Sequence, residues 1–377
     1  MTIQNKKIHI NRKVELSIVL PCLDEEKAIK QCIDQIIQTV NENKISAEIV
    51  IVDNDSKDKS VSIINSIIEK NSRKNNGTQI FLVSEPVRGY GSAYQKGFSV
   101  AQGKYIFMAD LDGTYDFRDI PRFVDVLKTG NDLVVGNRFN KNIGDLGSMP
   151  WHHKYIGNPI LSGLVRLFFG VKIRDIHCGI RAIKKESLEK INLKARGMEM
   201  ASEMIIKAKK VNLLMTEIPV AYTARLGTSK LNSFHDGWRH LRFILIYSPI
   251  VIFLIPGTVL FIVGILNALY STTYVHQLLL GAGCTIIGYQ LIYFAFFAKI
   301  YAITHLGEIN PIFEKLFRYI TLEKAGTAGT LALIVGILYE IYGRSVSGPV
   351  FGLILLVIGV QTISSAFMLS ILAIKEK

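Results

Sequence analysis

Tyr105-Ile-Phe-Met-Ala-Asp-Leu-Asp-Gly113 is the stretch on which the fold turns. An apolar run of strand character releases two carboxylates, Asp110 and Asp112, at its end. Two such groups at a strand mouth can hold a divalent cation, Mg2+ or Mn2+, against a diphosphate, because hard oxygen ligands suit these ions and phosphate oxygens complete the shell. The pattern points to a nucleotide carrying a phosphate-linked group. Chance alone supplies a D-x-D triplet in a chain of this size, and Asp53-Asn-Asp55 is a second copy, so the surroundings must carry the reading.

Outward from that stretch the chain alternates. An apolar run at 16–21 ending in Pro21 precedes a helical pattern at 25–40 with Ala28, Ile29, Ile33, Ile36, Ile37 and Val40 on one face. Strand patterns at 47–52 and 79–83 alternate with helical ones at 60–71 and 91–101. A helix at 120–128, a strand at 133–136, a helix at 201–211 and a strand at 215–220 follow. Such alternation predicts an α/β domain with a mostly parallel sheet covered on both faces. Ligands in these sheets sit outside the carboxyl ends of the strands, where the loops 21–25, 53–58, 85–90 and 110–116 all fall.

Charge divides the chain. Net charge is +13 overall, and nearly all of it lies before residue 243. Residues 243–298 contain no Asp, Glu, Lys or Arg, and a bilayer core takes only about 20 apolar residues per crossing helix. Spans are expected at 244–267, 277–298, 326–342 and 350–374, giving a soluble domain at 1–235 and a membrane domain at 236–377. Lys299, Lys315, Arg318 and Lys324 in one loop, with Lys375 and Lys377 in the tail, outnumber Arg344 on the other side. Basic short loops stay inside, so the catalytic domain and both termini are expected in the cytoplasm. Residues 1–13 lack an apolar core of signal-peptide length. Cys22, Cys32, Cys178 and Cys284 show no metal-ligand spacing and read as reduced thiols. At 150–170 a basic, aromatic head (Trp151, His152, His153, Lys154, Tyr155) precedes an apolar helix, the pattern of a segment lying in the lipid interface. Trp238 and Arg239 read as interface anchors ahead of the first span. His152 and His153 lack a third ligand at helical spacing, which favours phosphate or headgroup contact over a metal.

Several residues admit two readings. Asp53 and Asp55 at a strand end can accept hydrogen bonds from a base or ribose, whereas Ser56 or Asp58 suits helix capping. Glu25 stands similarly after Pro21. Arg88-Gly-Tyr-Gly91 falls short of a phosphate loop and reads as a glycine turn before a helix. Arg138 and Arg181, each near a strand end or polar cluster, suit phosphate as bidentate donors, against the common alternative of a surface ion pair. Arg225-Leu-Gly-Thr-Ser-Lys230 is a basic loop able to close over a diphosphate. Glu199 and Glu203 share a helix face, where a solvated role competes with chemistry.

The set Leu-Ser-Ile-Val-Leu-Pro-x-x-Asp-Glu-Glu (16–26), Val-Asp-Asn-Asp-Ser-x-Asp (52–58), Ala-Asp-Leu-Asp-Gly-Thr-Tyr-Asp (109–116), Gly-Asn-Arg (136–138), Asp-x-His-Cys-Gly-x-Arg (175–181) and Arg-x-Gly-x-Ser-Lys (225–230) resembles family 2 glycosyltransferases of the polyprenyl-phosphate type, the dolichol-phosphate mannose synthase and polyprenyl-phosphate glucosyltransferase group. The resemblance implies a GT-A fold and an inverting transfer of a hexose from a nucleotide-diphosphate sugar, of GDP-mannose or UDP-glucose type, to polyprenyl (dolichyl) phosphate with Mg2+ or Mn2+. Carried over, Pro21, Glu25, Asp53, Asp55, Asp110, Arg225 and Lys230 would bind the nucleotide sugar. Asp110 and Asp112 would hold the metal, and Arg138, His153, Lys154 and Arg181 the lipid phosphate. Asp110, Asp112 and Arg138 form the expected catalytic set. Mannose synthases of the group tend to carry Gln where this chain has Thr114, which leaves the third metal ligand and the sugar open. The rival readings are a membrane glycosyltransferase with a hydroxyl acceptor, needing a base such as Asp116 or Glu203, and a non-catalytic nucleotide-sugar-binding membrane protein. Nucleic acid is not an expected partner; a homo-oligomer is open.

Overall fold

The structure is a computed structural model that describes residues 14–74, 78–139, 149–227, 233–270, 274–305, 311–319, 321–343 and 347–374. The chain divides into two units, Met1–Leu241 and Arg242–Lys377.

In the first unit β1 (Leu16–Cys22), β2 (Ala47–Asp53), β3 (Gln79–Ser84), β4 (Tyr105–Met108), β5 (Leu133–Asn137), β6 (Arg181–Lys184) and β7 (Met215–Pro219) form one sheet in the order β3-β2-β1-β4-β6-β5-β7. Its helices are α1 (Ile29–Glu42), α2 (Ser60–Lys74), α3 (Tyr90–Val100), α4 (Ile120–Lys128), α5 (Asn158–Phe169), α6 (Lys185–Ile191), α7 (Met200–Lys210) and the first part, to Leu241, of α8 (Ser233–Tyr247). β1 pairs in parallel with β2 and β4, β2 with β3, and β5 with β7. This is the α/β, mostly parallel GT-A arrangement that the alternation and the resemblance predict. β1 and β2 read as nearly unbroken apolar runs because helices cover both faces of the sheet, and Ile18, Val19, Leu20, Ile49, Val50 and Ile51 are buried.

β6 departs from the sequence reading. It runs antiparallel between β4 and β5. Four residues, Arg-Ala-Ile-Lys, with a charge at each end give no alternation to read; the two neighbouring strands create it.

The positions of the strand ends shape the site. β1 pairs with β4 only as far as Val19 opposite Met108, yet continues against β2 through Pro21 and Cys22. Pro21, which has no amide to donate, therefore falls where the ladder is open on the β4 side. The chain leaves β4 at Ala109, and Asp110 and Asp112 emerge beside the projecting end of β1. This is the point where strand order reverses, the usual place for a crevice.

After residue 149 a wide helical turn, His153–Gly157, leads into α5, which ends at Gly170 in the left-handed region, φ 62°. Trp151, Tyr155, Ile156, Ile160 and Leu167 are exposed on this segment.

The second unit contains α9 (Ile255–Tyr270), α10 (Val275–Thr304), α11 (Pro311–Tyr319), α12 (Leu322–Tyr342) and α13 (Ser347–Leu372). Among the described residues the segments Ile250–Tyr270, Val275–Thr304, Leu322–Tyr342 and Ser347–Leu372 are long and apolar enough to cross a membrane. Two glycine pairs bring α9 onto α10: a Cβ on Gly257 would stand 2.9 Å from the Gly288 carbonyl oxygen, and one on Gly264 would stand 2.8 Å from that of Gly281. α12 meets α13 by the same rule, Gly329 against Gly359 and Gly336 against Gly352. Small residues let helix backbones approach where lipid supplies no hydrophobic drive.

Candidate functional site

The loops after β1, β2, β4 and β5, the segment before β6, the strap that follows β7 and parts of α7 and α8 enclose a cavity of about 340 Å³. Pro21, Glu25, Asp110, Asp112, Arg138 and Arg225 all line it.

Asp110 is half-buried, and its Oδ1 accepts a hydrogen bond from the Tyr90 hydroxyl at 3.1 Å. Gly179 makes its place: a Cβ there would lie 2.3 Å from Asp110 Oδ2. Burial first, and the Asp112 carboxylate second, push the Asp110 carboxyl up to about 7. Asp112 is buried and fixed by Thr114, whose amide and hydroxyl donate to its Oδ1 at 3.0 and 2.6 Å. Thr114 thus orients the second carboxylate instead of offering a third ligand. The other oxygen of Asp112 lies 3.1 Å from Arg225 Nη1, and Nη2 of the same guanidinium is paired with Glu25.

Arg225 is held over the acidic loop by its own backbone. The amides of Thr223 and Leu226 donate at 3.0 Å to the carbonyls of Thr114 and Asp112. Its Nε is buried and has no hydrogen-bond partner among the described residues. One cation therefore bridges the end of β1 to the end of β4.

Arg138 sits at the end of β5 with its guanidinium forked onto Asp175 at 2.7 and 2.8 Å, and its amide donates to the same carboxylate at 3.0 Å. Burial works against the charge, but Asp175 outweighs it and holds Arg138 protonated well beyond its ordinary range. The Tyr222 ring packs 5.2 Å from the guanidinium carbon.

The remaining expected residues lie elsewhere. Arg181 is buried behind the cavity and donates to the carbonyls of Cys178, Ala201 and Ile176, so the structure removes it from the phosphate-binding set. Asp53 does not line the cavity; its Oδ1 accepts the Ser56 amide at 3.2 Å. Asp55, in a left-handed turn at φ 70°, directs its carboxylate to Lys57 and Arg88. Lys154 lies over the Tyr155 ring, away from the cavity. Lys230 and the His153 side chain lie outside the described residues. Asp116 caps the turn at Phe117–Asp119 and pairs with Arg118, and Glu203 is buried on Lys207 and the amides of Lys194 and Ala195. Neither carboxylate faces the cavity.

The structure also supplies residues that the sequence reading missed. Asn54, between the two aspartates, lines the cavity; its amide nitrogen donates to the Glu85 and Val87 carbonyls and its oxygen accepts the Gly89 amide. Tyr90 stands between glycines because a Cβ at Gly89 or Gly91 would strike the carbonyls of Arg196 and Ala195 at 2.3 and 2.2 Å. On the opposite wall Ser202 Oγ stands 3.2 Å from His177 Nε2 and 2.9 Å from His240 Nδ1. Arg239, expected as an interface anchor, also lines the cavity.

The donor set fits a divalent cation that arrives with its substrate. Asp110 and Asp112 offer hard oxygens side by side, and the Asp110 carboxyl, raised by burial and then by its Asp112 neighbour, is one that a bound cation would favour in its charged form. Among the described residues no third His, Cys, Asp or Glu completes a protein-only site.

Residues 17–192 match the family model described as Glycosyl transferase family 2. The low-salt glycan biosynthesis hexosyltransferase Agl6 of Haloferax volcanii is 34% identical over 335 residues, covering 86% of this chain and 78% of that protein. The dolichyl-phosphate beta-glucosyltransferase of Dictyostelium discoideum is 28% identical over 235 residues, 59% of this chain and 70% of that one. The dolichol-phosphate mannosyltransferase of Pyrococcus furiosus is 28% identical over 226 residues, 58% and 59% of the two chains.

Proposed function

The chain belongs to glycosyl transferase family 2, and on that footing we propose that it moves a hexose from a nucleotide-diphosphate sugar, of GDP-mannose or UDP-glucose type, to polyprenyl phosphate with inversion. The observation that carries this reading is the pair Asp110 and Asp112 at the mouth of β4, under an arginine strapped across from Glu25.

The donor diphosphate lies against this cluster. Asp110 and Asp112 would hold Mg2+ or Mn2+, which would supply positive charge to the departing nucleoside diphosphate. Arg225 lends the same oxygens hydrogen bonds from the other side. Glu25, Pro21 and Asn54 line the nucleoside end, with Asp53 beside them. A phosphate monoester oxygen attacks the anomeric carbon, the bond from that carbon to the diphosphate breaks, and no proton need move, since the second pKa of such a phosphate is about 6. Catalysis is then chiefly positioning and charge stabilisation. A hydroxyl acceptor would require a base, and the carboxylates named for that role, Asp116 and Glu203, face away. Arg138 reaches the cavity with its charge cancelled by Asp175, which suits it to orient an acceptor phosphate by hydrogen bonding. Exposed Trp151, Tyr155, Ile156, Ile160 and Leu167 with Lys154 suit a helix resting in the cytoplasmic lipid interface.

The test is transfer. Purified full-length protein in detergent receives polyprenyl phosphate, a metal and a panel of radiolabelled nucleotide sugars. One donor should give a mild-acid-labile glycolipid, lost when the metal is chelated; label appearing only in a hydroxyl-linked product refutes the reading.

A further inference from the structure

Among the described residues the cavity and the wall behind it carry the arginines Arg138, Arg181, Arg225 and Arg239, and the first three are already engaged. Arg138 is neutralised by Asp175, a carboxylate with no exposed surface. Arg181 is bound to three backbone carbonyls. Arg225 is shared between Glu25 and Asp112. Arg239 is exposed, lines the cavity from α8, and has no ion pair among the described residues. The adjoining residue on α8 is tied to the wall: His240 Nδ1 lies 2.9 Å from Ser202 Oγ on α7, and the His240 ring meets that of His177 edge-on at 4.5 Å. Burial, then Arg181, hold His240 down at about 4, so at neutral pH this histidine adds no charge of its own.

The charges therefore fall into two groups. Glu25, Asp110, Asp112 and Arg225 cluster where β1 and β4 end, and that side carries net negative charge before a cation and diphosphate arrive. The wall built from the segment before β6, α7 and α8 carries Arg239, which has no ion-pair partner among the described residues. A second dianion entering the cavity beside the donor is repelled by the first group and meets full positive charge only on this wall.

We propose that Arg239 binds the phosphate monoester of the lipid acceptor. The inference rests on the acceptor class assigned above and adds the residue that grips it. The guanidinium presents a fork of donors matched to phosphate oxygens, and the contacts of His240 with α7 hold this turn of α8 against the cavity wall.

The probe is dodecyl phosphate, titrated by calorimetry into the full-length protein in neutral detergent, with the nucleoside diphosphate plus Mn2+ titrated separately. Arg239→Gln should weaken dodecyl phosphate binding by about tenfold or more, leaving nucleotide binding unchanged. Arg239→Met should do the same, and serves if the Gln variant is unstable. Arg239→Lys, which keeps the charge and loses the fork, should fall between. Equal dodecyl phosphate affinity in wild type and the neutral variants overturns the proposal, as does no binding by the wild type, or a parallel loss of nucleotide affinity. Polyprenyl phosphate turnover by the wild type is read independently. Loss of dodecyl phosphate binding in Arg239→Gln, in an enzyme that never glycosylates polyprenyl phosphate, keeps the anion site and sinks the acceptor assignment alone.

Discussion

Breaking the Arg138–Asp175 pair separates its structural role from its catalytic one. Side-chain exposure is 7% for Arg138 and 0% for Asp175, and three hydrogen bonds join them. Asp175→Asn leaves the guanidinium buried without its counter-charge, and removing one partner of such a pair costs about 3–5 kcal/mol. For a unit of this size that is a fall of roughly 10 °C in unfolding midpoint. Arg138→Met strands the carboxylate instead and should cost a similar amount. The double variant Arg138→Met with Asp175→Leu leaves neither charge bare, so its loss should be smaller than the sum of the single losses by about 3 kcal/mol. Thermal unfolding of the full-length protein in one detergent, with nucleotide binding as the control for an intact site, measures all four corners of the cycle. Additive single losses, or an Asp175→Asn midpoint within about 2 °C of wild type, would show that the pair is not the buried, mutually dependent unit described here.

The other predictions concern the acidic end and the α8 wall. Asp110 must ionise to ligate a cation, and its carboxyl sits at about 7; Mn2+ affinity should fall about tenfold per pH unit below 7 and level off above it, with close to one proton released per ion at pH 6. An affinity flat from about pH 5.5 to 8 refutes that account. Because the folded-state value lies above the ordinary carboxylate range near 4, the same carboxyl adds cation-free stability that is fully present below about pH 4 and lost as pH rises through 7. Gly179→Ala places a methyl 2.3 Å from Asp110 Oδ2, and calorimetry should find Mn2+ binding weakened by more than about tenfold while the melt shifts by only about 1–3 kcal/mol. Arg225→Ala should weaken donor binding about tenfold or more, most visibly as a raised KM for the nucleotide sugar. His240, held down at about 4, lends stability above its ordinary value near 6.5 that is lost as pH falls toward 4; hydrogen exchange in α8 should rise across that window and stay level between pH 7 and 8.

The parallel strands and the acidic tip of β4 were legible because each is a local pattern: apolar runs of strand length, helical spacing between them, and carboxylates at the point where an apolar run stops. β6 was not, because its four residues become a strand only when β4 and β5 flank them. Pro21, Glu25, Asp110, Asp112, Arg138 and Arg225 meet in one cavity. What they do there depends on partners far away in the chain, Arg225 being 200 residues from Glu25.

The arginines make the same point most sharply. Arg138, Arg181 and Arg239 are one residue type in similar polar, strand-end or helical settings, and nothing within a few positions of each separates them. Their roles divide by what lies opposite: a buried carboxylate 37 residues on, a ring of backbone carbonyls, or no ion-pair partner among the described residues. Arg138, matched one-to-one by Asp175, offers a ligand anion hydrogen bonds more than net attraction, because the anion meets the field of the pair and not of the cation. Sequence sets the three in similar surroundings, and the folded chain tells them apart by leaving Arg239 without an ion-pair partner among the described residues.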